Sequence, residues 1–157
     1  MRLRAATAAD AAAIAVFQTG CWREAYAGVV PQSYLDRVTV ADREARWRNR
    51  LESGSRRVAV AELSGVPIGV VSWGDSDATS VTSVELKSLY VGAAHRGTGV
   101  SARLLEMSIG SARAHLWVFE ENPRAQRFYG KHGFAFDGHR MVDPDTGLWQ
   151  IRMARRG

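Results

Sequence analysis

The sequence predicts an α+β domain in which short strands and amphipathic helices alternate along one chain of 157 residues. Valine-rich runs predict strands, and apolar residues at three- and four-residue steps predict helices. Gly, Pro and Asp residues between these segments mark their ends. The predicted order is β, α, α, β, β, β, α, β, α, β, β. A chain of this length forms one ordinary domain, so residues 1–157 are assigned to a single domain.

In the first half of the chain, capping and turn residues set the boundaries of each element. Thr7 is a suitable N-cap for a long helix, which Gly28 and Pro31 bring to an end. Ser64 and Gly65 separate two valine-rich runs and predict a hairpin. The elements predicted here are strands over residues 3–5, 57–63 and 66–73, and helices over residues 7–26, 31–35 and 40–52.

The second half shows the same punctuation. Pro123 suits the first turn of a helix, and Gly133 lies where a left-handed C-terminal cap is expected. The arginine-rich carboxyl end, with Arg152, Arg155 and Arg156, is predicted to fray. The elements predicted here are a polar turn over residues 75–80, strands over residues 82–91, 115–119, 134–142 and 148–153, and helices over residues 97–111 and 123–132.

The charge of the chain is basic but dispersed. The net charge is +5, and of the 21 basic side chains only Lys87 and Lys131 are lysines. An arginine excess attracts polyanions such as nucleic acid or a phosphorylated cofactor. No block of five like charges appears, however, which favours a solvated surface over a nucleic-acid interface. Residues 41–52 mix arginines with Asp and Glu and are predicted to form an exposed helix.

Composition also excludes several classes of protein. No apolar run approaches the roughly 20 residues that a membrane helix requires, and the amino terminus lacks a signal-peptide pattern. Cys21 is the single cysteine, which excludes an intrachain disulfide. The sequence therefore predicts a cytoplasmic protein without a membrane partner.

The glycine-bearing turn between residues 91 and 100 is the most informative segment. It follows a predicted strand and opens a predicted helix, so unpaired backbone N–H groups and the positive end of the helix dipole point at one place. Gly97 and Gly99 can adopt positive φ and allow a phosphate to approach the backbone. This arrangement predicts an anion-binding site.

A second cluster lies about 20 residues further on, and together the two resemble the GNAT superfamily of acyl-CoA-dependent N-acyltransferases. The family's phosphate loop, Arg/Gln-x-x-Gly-x-Gly/Ala, is matched by Arg96, Gly99 and Ser101, where serine departs from the pattern. The later segment, Asn-x-x-Ala-x-x-Phe-Tyr followed by Gly-Phe, falls on residues Asn122, Ala125, Phe128, Tyr129, Gly133 and Phe134. The resemblance implies the GNAT fold, a mixed and mostly antiparallel sheet with helices on both faces.

The resemblance also implies an acetyl-CoA site. The phosphates would contact the loop, and the pantetheine arm would lie between two strands that separate, with Asn122 as a hydrogen-bonding partner. An N-cap role for Asn122 before Pro123 is equally apt chemically. Ser101 adds a hydroxyl that either donates to a phosphate or crowds it. The implied cofactor-binding residues are Leu89, Tyr90, Val91, Arg96, Gly97, Thr98, Gly99, Val100, Ser101, Ala102 and Asn122.

Catalytic roles follow from the same resemblance. Tyr129 matches the tyrosine that protonates the departing thiolate, and a half-buried packing role beside Phe128 is the alternative. Glu85 is the candidate base, because it lies on a strand 11 residues before Arg96, where some family members carry a base. A carboxylate paired with an arginine, or a base role taken by ordered water, are the alternatives.

The acceptor pocket is expected at the mouth of the sheet. Trp22, Tyr26 and Trp73 are the candidate substrate-binding residues, with Tyr34 beside them. The four histidines show no metal-ligand spacing, so neither a metal nor a covalent enzyme intermediate is expected.

These observations favour an N-acetyltransferase that transfers acetyl from acetyl-CoA to a primary amine of a small molecule by direct attack in a ternary complex. An antibiotic amine, a polyamine and an amino-acid derivative all fit as acceptors. Two alternatives stay open: a GNAT-fold enzyme with an aminoacyl-tRNA donor, and a non-catalytic CoA-binding module. Homodimers are frequent in the family, but no interface is evident from the sequence.

Overall fold

A seven-stranded sheet organises the computed structural model of the chain, which describes residues 1–76 and 81–156. The predicted polar turn falls largely on residues 77–80, outside the described residues. The strands are β1 Arg2–Ala5, β2 Arg57–Leu63, β3 Val66–Asp75, β4 Val84–Val91, β5 Ala114–Phe119, β6 Ala135–Val142 and β7 Trp149–Arg155. The helices are α1 Ala11–Tyr26, α2 Gln32–Arg37, α3 Val40–Ser53, α4 Val100–Ser108 and α5 Pro123–Lys131.

The strand order β1-β2-β3-β4-β5-β7-β6 confirms the predicted mixed and mostly antiparallel sheet. All neighbouring strands are antiparallel except β4 and β5, which run parallel. These two strands pair at only two positions, Glu85 with His115 and Leu86 with Leu116. Over the rest of their described lengths they are not paired, so the sheet opens between them.

Helices cover both faces of the sheet, as predicted. Alternating residues of β2 show why: Val58 and Val60 pack against α1 and α3, whereas Ala59 and Ala61 pack against the cluster that α4 and α5 complete. Successive strand side chains point to opposite faces, so a continuous apolar run fills two cores. A third, smaller cluster joins α2 to the end of α1.

A bulge in β4 changes which side chains face α1. Ser72 pairs with Ser88 and Trp73 pairs with Leu86, so Lys87 is an extra residue in β4. Leu86 therefore packs in the core on the α4 face, while Ser88, two residues later, hydrogen-bonds Ser72. Bulges re-aim side chains in this way at the ends of pairing.

Local capping explains where the helices begin and end. Thr39 accepts a hydrogen bond from the Asp42 N–H at the start of α3, and Gly54 ends that helix with φ of 68°. Asn122 accepts from an amide in the first turn of α5. Gly133 has φ of 90° immediately after α5, as its predicted role as a C-terminal cap requires.

Helix α4 is shorter than the sequence predicts. The predicted helix over residues 97–111 begins only at Val100, because Gly97 and Gly99 have φ of 76° and 91° and keep the preceding residues in a loop. The helix ends at Ser108, and Gly110 with φ of 52° starts the turn to β5. A residue with positive φ cannot belong to a right-handed helix. Glycine can adopt either sign of φ, so the sequence did not show that the helix begins only after Gly99.

The prediction of a frayed carboxyl end is wrong for Arg152 and Arg155, which belong to β7. Arg152 is buried and donates to the Asp137 carboxylate. Arg155 donates to the carbonyl oxygens of Gly110 and Ala112, where the turn after α4 leaves acceptors free. Long-range partners that the local sequence does not show hold this strand in the sheet.

Within residues 1–76 and 81–156, no helix is both long and apolar enough to cross a membrane.

The packing of α4 on the sheet predicts a specific sensitivity at Gly69. A Cβ at this position would lie 2.7 Å from Leu104 Cδ1 and 3.2 Å from Val100 Cγ1, and Leu104 is fully buried. We expect Gly69→Ala to lower the free energy of unfolding by about 1–3 kcal/mol through overpacking. Urea denaturation measures the effect.

Gly20→Ala is the matched control, because nothing lies within 4 Å of its added Cβ on α1. It should stabilise the protein by up to about 1 kcal/mol through helix propensity. Equal effects of the two substitutions would contradict tight packing at Gly69.

Candidate functional site

The opening between β4 and β5 leads into two neighbouring cavities. The larger has a volume of about 390 Å³ and the smaller about 220 Å³. Residues of α1, β4 and α5 form the wall between them. The side chains or backbone that line both cavities belong to Tyr26, Leu89, Tyr90, Asn122, Ala125 and Tyr129. The structure thus brings together the strand end and the helix that the sequence assigned to the cofactor.

The glycine loop between β4 and α4 borders the smaller cavity through Arg96, Gly97 and Ser101. The amides of residues 97–102 donate to no backbone carbonyl within the described part of the chain. They lie at the N-terminus of α4, where the helix dipole is positive. A hydrogen bond within the loop stabilises it, since Thr98 Oγ1 donates to the His95 carbonyl. Free amides at the N-terminus of a helix are the groups that anions contact in proteins, so the loop has the donors that the sequence analysis predicts.

Asn122 caps α5, which is one of the two roles that the sequence offered for it, and its amide group also contacts a tyrosine of α1. Its Oδ1 accepts from the Ala125 N–H at 3.2 Å, which caps α5. Its Nδ2 donates to the Tyr26 hydroxyl at 3.1 Å. The capping bond fixes the side chain, so its amide group is held at the wall that separates the two cavities.

Tyr129 is buried on α5 and packs its ring edge-to-face against Phe128 and Phe134. Burial raises the pKa of its phenol well above the ordinary value, and Tyr26 and Tyr90 add to the shift. The hydroxyl makes no hydrogen bond to another residue among those described. Tyr129 is therefore a protonated phenol beside both cavities at neutral pH.

Glu85 lies on the α1 side of β4, next to the point where β4 and β5 separate. Its Oε2 is 3.2 Å from Lys87 Nζ, and its Oε1 is 3.2 Å from His115 Nε2. Leu86 and Lys87 line the larger cavity, whereas Glu85 is not among its lining residues. The side chain of the candidate base therefore lies outside the cavity lining and contacts a lysine and a histidine. The arginine pairing that the sequence left as the alternative to a base role is not formed among the described residues.

His115 is a fully buried residue of β5 that the sequence did not single out for catalysis. Thr82 Oγ1 donates to the Val84 carbonyl, so it accepts from His115 Nδ1, 2.7 Å away. The other ring nitrogen, Nε2, faces the Glu85 carboxylate and, at 3.0 Å, Ser76 Oγ. Glu85 and Ser76 therefore both contact the same ring nitrogen of His115.

The aromatic residues of α1 and α2 form one side of the larger cavity. The ring of Trp22 lies 4.7 Å from that of Tyr26 and 5.6 Å from that of Tyr34. Burial raises the pKa of Tyr26 to about 12. Trp73, the third candidate, is not with them: it packs against the core on the α4 face of the sheet. Strand alternation separates Trp73 from the other two, which helical spacing brings together.

Arginines of α3 and of the segment after it reach the same cavity. The prediction of an exposed helix holds for most of residues 41–52 but not for the face that carries Arg43, Trp47 and Arg50. Trp47 is almost fully buried, and Arg50 lies over its ring with 5.0 Å from Cζ to the centroid. Burial lowers the pKa of Arg50 to about 10, and that of Arg56 is lowered as well. Arg50 and Arg56 line the larger cavity. Alternating charges along α3 concealed this inward-facing stripe from the sequence.

Cys21 is buried at the wall of the smaller cavity. Burial raises the pKa of its thiol to about 11, so the thiolate that would act as a nucleophile is scarce at neutral pH. Among residues 1–76 and 81–156, no three His, Cys, Asp or Glu side chains are grouped so that they could hold a metal ion.

Comparison with known proteins agrees with this geometry. The model of the Acetyltransferase (GNAT) family matches residues 21–134. Over 143 residues the chain is 29% identical to a Mycobacterium tuberculosis protein named as a probable N-acetyltransferase, covering 88% of this chain and 82% of that protein.

Two solved structures are similar over nearly the whole chain. PaiA N-acetyltransferase from Thermoplasma acidophilum, in complex with coenzyme A, has a TM-score of 0.74 at 15% identity, covering 99% of this chain and 98% of that one. YncA from Salmonella typhimurium, with its cofactor acetyl-CoA, has a TM-score of 0.70 at 25% identity, covering 99% and 93%.

Proposed function

The chain belongs to the GNAT acetyltransferase family, and from that premise we propose that it transfers acetyl from acetyl-CoA to a primary amine of a small molecule. The observation that carries this proposal is the position of the free amides of residues 97–102 beside the opening between β4 and β5. One end of that site suits phosphates, and the other suits an extended arm that requires hydrogen-bonding partners. Attack takes place directly within a ternary complex.

The residues present fit acetyl-CoA. Its pyrophosphate would accept hydrogen bonds from the loop amides, with Arg96 as a nearby cation. The unpaired end of β4, Leu89 to Val91, offers backbone groups that a pantetheine amide would satisfy. Asn122 stands beside that path with its amide group held in place. When bound, acetyl-CoA supplies the thioester carbonyl that the amine attacks.

Tyr129 is proposed as the general acid that protonates the departing thiolate. Tyr129 lines both cavities, and its raised pKa keeps the phenol protonated over the whole neutral range. Cys21 is not suited to form a covalent intermediate, because burial raises the pKa of its thiol and a protonated thiol is a poor nucleophile. Direct transfer to the amine is therefore proposed in place of a covalent enzyme intermediate.

Glu85 is proposed as the base that receives the proton of the amine. An alkyl ammonium has a pKa of about 10 and must lose a proton before it attacks. Since Lys87 stands between Glu85 and the cavity, a water molecule would carry the proton to the carboxylate. His115, which contacts the carboxylate through Nε2, would position it. The predicted homodimer and cytoplasmic location stay predictions.

Gly97 provides a test of acetyl-CoA binding. Its φ is 76°, and nothing lies within 4 Å of an added Cβ. Gly97 itself lines the smaller cavity. We expect Gly97→Ala to raise the calorimetric Kd for acetyl-CoA at least tenfold, because the methyl group would stand between the amides and the phosphates.

Gly65→Ala is the matched control, since Gly65 has φ of 77° in the remote turn between β2 and β3 and is equally unhindered. Both variants should lose about 1 kcal/mol of stability to backbone strain, while only Gly97→Ala should lose affinity. Absence of acetyl-CoA binding in the wild type, with salt-sensitive tRNA binding instead, would overturn the proposal.

The role of Tyr129 predicts a loss confined to the chemical step. We expect Tyr129→Phe to lower kcat about 100-fold, the usual contribution of a general acid, and to leave the Kd for acetyl-CoA within threefold. Because the pKa of Tyr129 is raised, the wild-type kcat should not fall through ionisation of this residue between pH 7 and 9. Steady-state release of free CoA measures kcat; an unchanged value would remove Tyr129 from the mechanism.

Glu85 and His115 are tested through the pH profile. Glu85→Gln should move the rising limb of kcat/KM to higher pH or lower its plateau, because the carboxylate that accepts the proton is gone.

His115→Gln should cause a smaller change in the same direction, since its amide still offers a donor towards Glu85. A purely structural role would change stability and leave the profile superimposable on that of the wild type.

A further inference from the structure

We propose that the acceptor amine carries a carboxylate, and that this carboxylate binds to Arg50 and Arg56 in the larger cavity. The inference rests on the proposed function and specifies its substrate class: an amino acid in place of a simple alkyl amine or polyamine. Arg50 lies in the last turn of α3, and Arg56 lies immediately before β2. Both line the larger cavity, whereas the phosphate loop lines the smaller one.

Neighbouring groups hold each of the two guanidinium groups in place. The guanidinium group of Arg50 lies over the ring of Trp47. The ring is itself held in place, because its indole N–H donates to Gln18 Oε1 at 2.7 Å. Arg56 Nη1 is 3.4 Å from Ser72 Oγ, which is 2.6 Å from Ser88 Oγ. The two cations are therefore positioned before any ligand arrives, which lowers the entropic cost of binding one.

Within the described residues, neither of these two guanidinium groups has a carboxylate at ion-pair distance, although Arg4, Arg48 and Arg140 each pair with one. Burial is the largest cause of the lowered pKa of both side chains, and for Arg50 the next cause is repulsion by Arg56. Half-buried cations that repel one another form a site for an anion, and the planar guanidinium fork matches a carboxylate.

Carboxylate groups also lie in or near the larger cavity. Asp143 and Asp145 line it from the turn between β6 and β7. Glu85 lies close enough to Arg56 to act on its charge, although Glu85 itself pairs with Lys87 and His115. A zwitterion placed with its carboxylate at Arg50 and Arg56 would extend its ammonium towards Glu85 and the opening between β4 and β5. That is where the proposed acetyl transfer requires it.

The first experiment compares acceptors that differ only in charge. A panel of L-amino acids is assayed against the corresponding primary amides, with free CoA release as the readout. We expect kcat/KM for the best acid to exceed that for its amide at least tenfold. Intrinsic reactivity favours the opposite order, because an α-amino group beside an amide has a pKa of about 8 and deprotonates readily. Equal use of acids and amides would overturn the proposal.

Substitutions then locate the preference. Arg50→Gln and Arg56→Gln should each lower kcat/KM for the acid at least tenfold and leave that for the amide within threefold. Arg48→Gln is the control, because Arg48 lies on the same helix but is exposed and paired with Glu44. A preference that survives in both variants would overturn the assignment to these arginines. A higher kcat/KM for 2-aminoethylphosphonate than for β-alanine would overturn the choice of a carboxylate.

A binding measurement separates this proposal from the proposed function. Calorimetric titration of the wild type with the same acids, in the presence of CoA, should detect binding that both Gln variants weaken tenfold. Arg56→Lys retains the charge and should keep part of the affinity if Arg56→Gln proves unstable. Failure to transfer acetyl to any acceptor contradicts the proposed function. Turnover of amides and acids alike, without carboxylate binding, overturns only the inference about Arg50 and Arg56.

Discussion

The separation of β4 from β5 is the constraint on which the rest of the site depends. Two parallel strands that pair at only two positions leave the end of β4 without a partner on one side. Unpaired backbone N–H and C=O groups are costly when buried, so such an opening persists only where water or a ligand reaches it. The bulge at Lys87 and the turn of β4 into the glycine loop lie on either side of this unpaired segment. The cofactor path proposed for this GNAT protein thus follows an interruption of strand pairing between β4 and β5.

Helices on the two faces supply different chemistry to that opening. On the α4 face, the loop amides offer donors to an anion, and α5 presents Tyr129 as a protonated phenol. On the α1 face, aromatic rings and half-buried arginines line a larger space. An acyl donor and an acceptor that approach from opposite faces would meet where the strands part. The ternary complex that we propose would form at this point.

Burial of charge distinguishes the proposed acceptor side from an ordinary surface. Arg43 is almost fully buried, and its guanidinium donates to the Val38 carbonyl. Arg50 and Arg56 have no comparable acceptor among the described carboxylates and carbonyls, so their charges are available to a ligand. The arginines of α3 therefore differ in their surroundings: Arg43 bonds to the backbone, Arg48 pairs with Glu44 at the surface and Arg50 lines the cavity.

The sequence by itself determined the features that depend on neighbouring residues. Hairpins, the caps of α3 and α5, the glycine loop and the mixed order of strands and helices follow from turn chemistry, periodicity and family motifs. The same signals placed Trp22, Tyr26, Asn122 and Tyr129 at one site. Their limit is visible at α4, where glycines permitted either a helix or a loop and only backbone conformation decided between them.

The tertiary structure alone decided what depends on which face and which strand a residue meets. It placed Trp73 on the opposite side of the sheet, joined His115 to Glu85, and held Arg152 and Arg155 in β7. It also turned Arg50 inward, although the charge pattern of α3 is that of an exposed helix. Pairing between distant strands and the packing of Trp47 set these contacts. Neither is encoded within the few residues that a sequence motif spans, because each depends on partners brought together only by the fold.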